Sequence, residues 1–106
     1  MSHAPAIIES TVPGPYDFDT DTILMGMVDG DAHVRVGSRV TIRGTVTGDL
    51  VVDHGAVAIV LGTVGGSIAN GGHVSVAGVV GGSIASRKPA VAEIQSGAIV
   101  NGERIA

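Results

Sequence analysis

Gly44-Thr-Val46-Thr-Gly48-Asp-Leu50 and Gly62-Thr-Val64-Gly-Gly66-Ser-Ile68 are two copies of one pattern, and that pattern decides the fold. The form G-x-V-x-G-[D/S]-[aliphatic] occurs once before them, at Gly26-Met-Val28-Asp-Gly30-Asp-Ala32, and once after, at Gly78-Val-Val80-Gly-Gly82-Ser-Ile84. The first glycines, Gly26, Gly44, Gly62 and Gly78, are evenly spaced except that the last interval is slightly shorter. A nearly fixed period of this size marks a solenoid, in which each repeat is one coil stacked on the last.

The copies align beyond the motif. Four residues before its first Gly stand Thr22, Val40, Ala58 and Val74, and two before it stand Leu24, Ile42, Val60 and Val76. Two after it stand Val28, Val46, Val64 and Val80; six after it stand Ala32, Leu50, Ile68 and Ile84. Polar or small residues alternate with these columns at the period of two that belongs to strands. Stacked about 4.8 Å apart, the columns become aliphatic ladders that form the core. Gly30, Gly48, Gly66 and Gly82 make one glycine column and Gly37, Gly55 and Gly71 another. Glycine at a fixed place in each coil marks a corner that needs positive φ or close backbone approach. Coils of the length from Gly26 to Gly44 then divide into three short strands and three corners, a triangular parallel β-helix. The left-handed form wants an aliphatic residue every sixth position. Stepping from Val36 gives Ile42, Gly48, His54, Val60 and Gly66, which does not fit.

The flanks read differently. Residues 1–21 hold three of the four prolines and the acidic Asp17, Asp19 and Asp21, and are expected to form an irregular arm. The arm either caps the first coil or docks on a partner or on the next subunit. The β-helix domain is expected over 22–106. After Ser86 the period breaks at Arg87-Lys88-Pro89-Ala90, and Val91 to Gly102 reads as a variant last coil that echoes Val52-Asp-His-Gly55-Ala56-Val57.

Composition narrows the function classes. A net charge of −4 argues against nucleic acid, which needs a basic stripe. The absence of cysteine rules out disulfides and thiolate metal sites and fits a cytoplasmic protein. Mean hydropathy is high at +0.45, yet the longest apolar run, Ala56 to Leu61, is far short of the ~18 residues of a membrane helix. No signal peptide is legible, and membrane contact is not expected.

Candidate chemistry is sparse. His33, His54 and His73 sit at different offsets from the motif and His3 in the arm, so convergence on a metal is not expected. Asp31 and Asp49 share a column that continues as Ser67 and Ser83, where a side-chain oxygen can satisfy corner N–H groups. Acid–base catalysis by the two carboxylates would need a cleft that nothing supplies. Thr41, Thr45 and Thr47 do not continue as regular threonine columns. No catalytic residue, cofactor or metal is assigned, and the chain is not expected to be an enzyme. The outward columns carry more. Ile23/Met25, Thr41/Arg43, Ile59/Leu61 and Ser75/Ala77 precede the motif Gly by three and one residues, and the apolar pairs among them are either covered by the arm or form a contact surface.

Four G-x-V-x-G-[D/S]-[aliphatic] copies in register over Gly26 to Ile84, with the ending from Ile94 to Gly102, resemble the bactofilins. The resemblance covers about residues 22–105. It implies a single-stranded right-handed parallel β-helix, here of about four to five coils, and a bacterial cytoskeletal protein that polymerises end to end without nucleotide. The lack of a G-x-x-x-x-G-K-[ST] motif is consistent with this. Val100, before Asn101-Gly102, stands where the family usually carries Phe. The expected function is a self-assembling structural scaffold. The alternative is a small capped β-helix that binds a specific protein, such as a toxin-neutralising or regulatory partner. Tyr16, Phe18, Ile23, Met25, Ile59, Leu61, Ile99 and Val100 are the candidate residues for self-assembly or partner contact.

Overall fold

A computed structural model describes residues 6–86, 91–94, 98–100 and 103–104. Among these every regular element is a strand. Among the described residues no helix is long and apolar enough to cross a membrane.

The chain winds as a triangular β-solenoid. Coil 1 comprises β1 (Ala6–Ile8), β2 (Thr11–Pro13) and β3 (Tyr16–Phe18). Coil 2 comprises β4 (Thr22–Leu24), β5 (Met27–Asp29) and β6 (Ala32–Val34), and coil 3 comprises β7 (Arg39–Ile42), β8 (Thr45–Val46) and β9 (Leu50–Val52). Coil 4 is β10 (Val57–Val60), β11 (Thr63–Val64) and β12 (Ile68–Asn70); coil 5 is β13 (His73–Val76), β14 (Val79–Val80) and β15 (Ile84–Ser86). A partial sixth coil adds β16 (Val91–Ile94) and β17 (Ile99–Val100), and β18 (Glu103–Arg104) pairs antiparallel with β17. The remaining pairings are parallel and join each strand to its counterpart one coil away. Sheet 1 runs β1-β4-β7-β10-β13-β16, sheet 2 runs β18-β17-β14-β11-β8-β5-β2, and sheet 3 runs β15-β12-β9-β6-β3.

The N-terminal segment departs from expectation. Residues 6–18 are not an irregular arm but a full coil, with Ile8 opposite Leu24, Val12 opposite Val28 and Tyr16 opposite Ala32. Their register reveals a further copy of the motif, Ser10-Thr-Val12-Pro-Gly14-Pro-Tyr16, which starts as far before Gly26 as Gly62 stands before Gly78. The last coil also differs. Ile94 takes the column of Val76, and Ile99 and Val100 take those of Val79 and Val80. Residues 95–97, on which the echo of Val52–Val57 falls, lie outside the described residues.

The core is the set of inward columns. Leu24, Ile42, Val60 and Val76 are fully buried, as are Val28, Val46, Val64 and Val80. Another inward column, not anticipated from the motif, runs Phe18, Val34, Val52 and Asn70. Asn70 is buried in this column, and its side-chain carbonyl accepts the N–H of Gly72 at 3.0 Å, which closes the next corner.

Close approach between coils explains the first motif glycine. A Cβ on Gly44 would run into the Gly26 carbonyl oxygen, and one on Gly62 into that of Gly44. The corner from sheet 3 to sheet 1 sets the coil length. Its longer form runs from Val34 to Val40 and from Val52 to Ala58, through Gly37 and Gly55 at φ of +82° and +81°. Its shorter form runs from Phe18 to Thr22 and from Asn70 to Val74.

Candidate interaction surfaces

The corner between sheets 2 and 3 shows what the Asp/Ser column does. The Asp31 carboxylate accepts the backbone N–H of Asp49 at 2.8 Å, the Asp49 carboxylate that of Ser67 at 2.8 Å, and the Ser67 hydroxyl that of Ser83 at 3.2 Å. One residue earlier, the Gly48 N–H donates to the Gly30 carbonyl and the Gly66 N–H to that of Gly48, both at 2.9 Å. Each side chain thus satisfies the coil above it. The two carboxylates serve as acceptors for backbone N–H groups of the next coil.

A second polar group crosses coils on the outer face of sheet 3. His33 lies between two carboxylates, with Nε2 2.5 Å from Asp53 and Nδ1 3.8 Å from Asp17. Arg35 is 3.8 Å from each of the same carboxylates. This group ties coil 1 to coil 2 and to the end of coil 3. His73 stands apart on sheet 1, 3.0 Å from Glu93. Among the described residues no cluster of three or more histidines, cysteines or carboxylates could hold a metal. His3 lies outside the described residues.

The outward face of sheet 1 holds the apolar lateral candidates. Its middle column runs Ile7, Ile23, Thr41, Ile59, Ser75 and Glu93. Ile7 is 57% exposed, while Ile23 and Ile59 are half-buried. Met25 and Leu61, at the adjoining corner, are 51% and 49% exposed. Two arginines, Arg39 and Arg43, separate these apolar rows along the solenoid. Arg39, Val57, Ile59, His73, Ser75 and Glu93 line a shallow depression of about 350 Å³. Residues 6–18 of the segment expected to cover this face are coil 1 itself.

The ends hold the other candidates. The column that is fully buried from Leu24 to Val76 ends at Ile94, which is 39% exposed. Val100 is half-buried against the core, and Ile99 points outward in the column of Val79. At the opposite end Ile8, Val12 and Tyr16 are half-buried against the core. Tyr16 meets Phe18 with ring centroids 4.8 Å apart. Phe18 itself is only 1% exposed, so it is a core residue and offers no surface to a partner. The eight candidates therefore do not converge. Ile23, Met25, Ile59 and Leu61 share a lateral face, Tyr16 lies at one end, and Ile99 and Val100 lie at the other. Ile94 was missed from the sequence; its place in an inward column of the last coil was the signal.

Comparison of the chain with models of protein families, with characterised proteins and with solved structures finds no match.

Proposed function

We propose that the protein is a bactofilin-like structural scaffold element, without enzymatic activity, that associates with further copies of itself through a solenoid end and needs no nucleotide. The observation that carries this reading is Ile94. It continues a column that is fully buried from Leu24 to Val76, yet it is 39% exposed on the last described coil. A further apolar layer stacked there would bury it at about 25 cal/mol per Å² of apolar surface. The adjacent edge strand β16 would supply backbone groups for ladder pairing.

Light scattering across a size-exclusion column, with electron micrographs of the same fractions, tests this. Species larger than one chain are expected. Val100→Asp, at the end, is expected to lower their mass, and Leu61→Asp, on the side, to leave it unchanged. A sharp monomer at every concentration overturns the reading. One observation favours a second reading, a module that binds another protein: Met25 and Leu61 are exposed apolar residues along one corner, on either side of Arg43 and away from both ends. In that case Leu61→Asp abolishes capture of the partner while the mass stays that of one chain.

A further inference from the structure

In a parallel ladder, alternate residues turn their backbone groups toward opposite neighbours. In coil 1 the Ser10 carbonyl accepts the Met27 N–H, and the Gly14 N–H donates to the Asp29 carbonyl. Ser10, Val12 and Gly14 therefore face coil 2, and Pro13 faces the open edge. Pro15 stands one residue before Tyr16, as Asp49 stands one residue before Leu50, and Tyr16 and Leu50 share a column.

These two columns carry donors in the interior coils. In the column of Pro13, the N–H of Thr47 donates to the Val28 carbonyl of the coil below, that of Gly65 to Val46 and that of Gly81 to Val64. In the column of Pro15, the N–H groups of Asp49, Ser67 and Ser83 donate to side chains of the coil below. Coil 1 has proline at both positions, and proline has no N–H to donate. Proline on an edge strand, with its nitrogen toward the open side, is a device that prevents strand addition.

We propose that coil 1 is a built-in stop: a second copy of the chain cannot continue the solenoid beneath it, because the downward donors of two columns are replaced by Pro13 and Pro15. This rests on the self-association proposed above and sharpens it. Contact between copies is confined to the C-terminal end, and an assembly with one competent end per chain closes as a pair instead of growing.

The test restores the donors with residues that already occupy the same columns. Wild type, Pro13→Thr and the double variant Pro13→Thr/Pro15→Ser are compared by sedimentation velocity over a wide concentration series, with circular dichroism to confirm folding. The wild type is expected to reach no more than two copies. The double variant is expected to grow with concentration, exceeding the wild-type mass by about twofold or more, since a new head-to-tail contact does not close. Folded variants with wild-type mass overturn the stop. So does open-ended growth of the wild type, which decides the matter even if neither variant folds. A monomeric wild type whose variants grow upholds the stop while removing the C-terminal association.

Discussion

Coils 1 and 3 have the same three strands in the same register, yet their corners are built from different residues. Where coil 3 has Gly44, Thr47, Asp49 and Leu50, coil 1 has Ser10, Pro13, Pro15 and Tyr16. Each difference follows from what lies beneath. Gly44 must be glycine because the Gly26 carbonyl is where its Cβ would be. Among the described residues coil 1 is the outermost coil of all three sheets, and Ser10 is admitted there. Thr47 and Asp49 each donate an N–H downward; Pro13 and Pro15 have none. Leu50 is sealed between two layers, whereas Tyr16 is half-buried and leans on Phe18. A motif residue in a solenoid serves the neighbouring coil more than its own, so a terminal coil keeps the shape and discards the signature.

This comparison can be broken by paired substitutions read from urea unfolding. The largest effect is expected from Leu50→Ala, which opens a cavity between two layers and costs about 3 kcal/mol. Tyr16→Ala, at the end, should cost about half of that, since part of the ring is already in water. Equal losses would show that coil 1 is sealed as tightly as the middle. Gly44→Ala follows at about 2 kcal/mol, because backbone must shift to admit the methyl group. Ser10→Gly, which converts coil 1 to the interior pattern, should stay within about 0.5 kcal/mol. Among the interior substitutions the smallest effect belongs to Asp49→Ala. It frees the Ser67 N–H at an exposed corner and should cost about 1 kcal/mol. Asp49→Ser should recover much of that loss, since Ser67 does the same work one coil on. If Asp49→Ala is silent, the corner bond is replaced by water and the ladder contributes nothing to stability.

The aliphatic ladders were legible because period-two alternation and the spacing from Gly26 to Gly78 coincide in them. Coil 1 was not, because Ser10, Pro15 and Tyr16 all depart from the motif for the reasons above, and only Val12 and Gly14 keep it. The Phe18-Val34-Val52-Asn70 column escaped notice because it borders the corner whose length varies and ends in a polar residue. For the surfaces, the exposure of Met25 and Leu61 followed from the alternation. The corner role of the Asp/Ser column was legible too, but alternation alone does not reveal that the bond reaches the next coil. The group at His33 joins Asp17 and Asp53, which are distant in the chain, and only the stacking register brings them together.

The variable corner between sheets 3 and 1 has a practical meaning for the chain as a material. The path from Asn70 to Val74 is shorter than that from Val52 to Ala58, but Val60 still meets Val76, Val64 meets Val80 and Ile68 meets Ile84. The difference in length between the two forms leaves these ladders in register. The exposed His54–Gly55 turn of the longer form is therefore a port, a place where a peptide tag or a fluorophore-bearing loop can be spliced into the middle of the protein without disturbing the wall on either side of it.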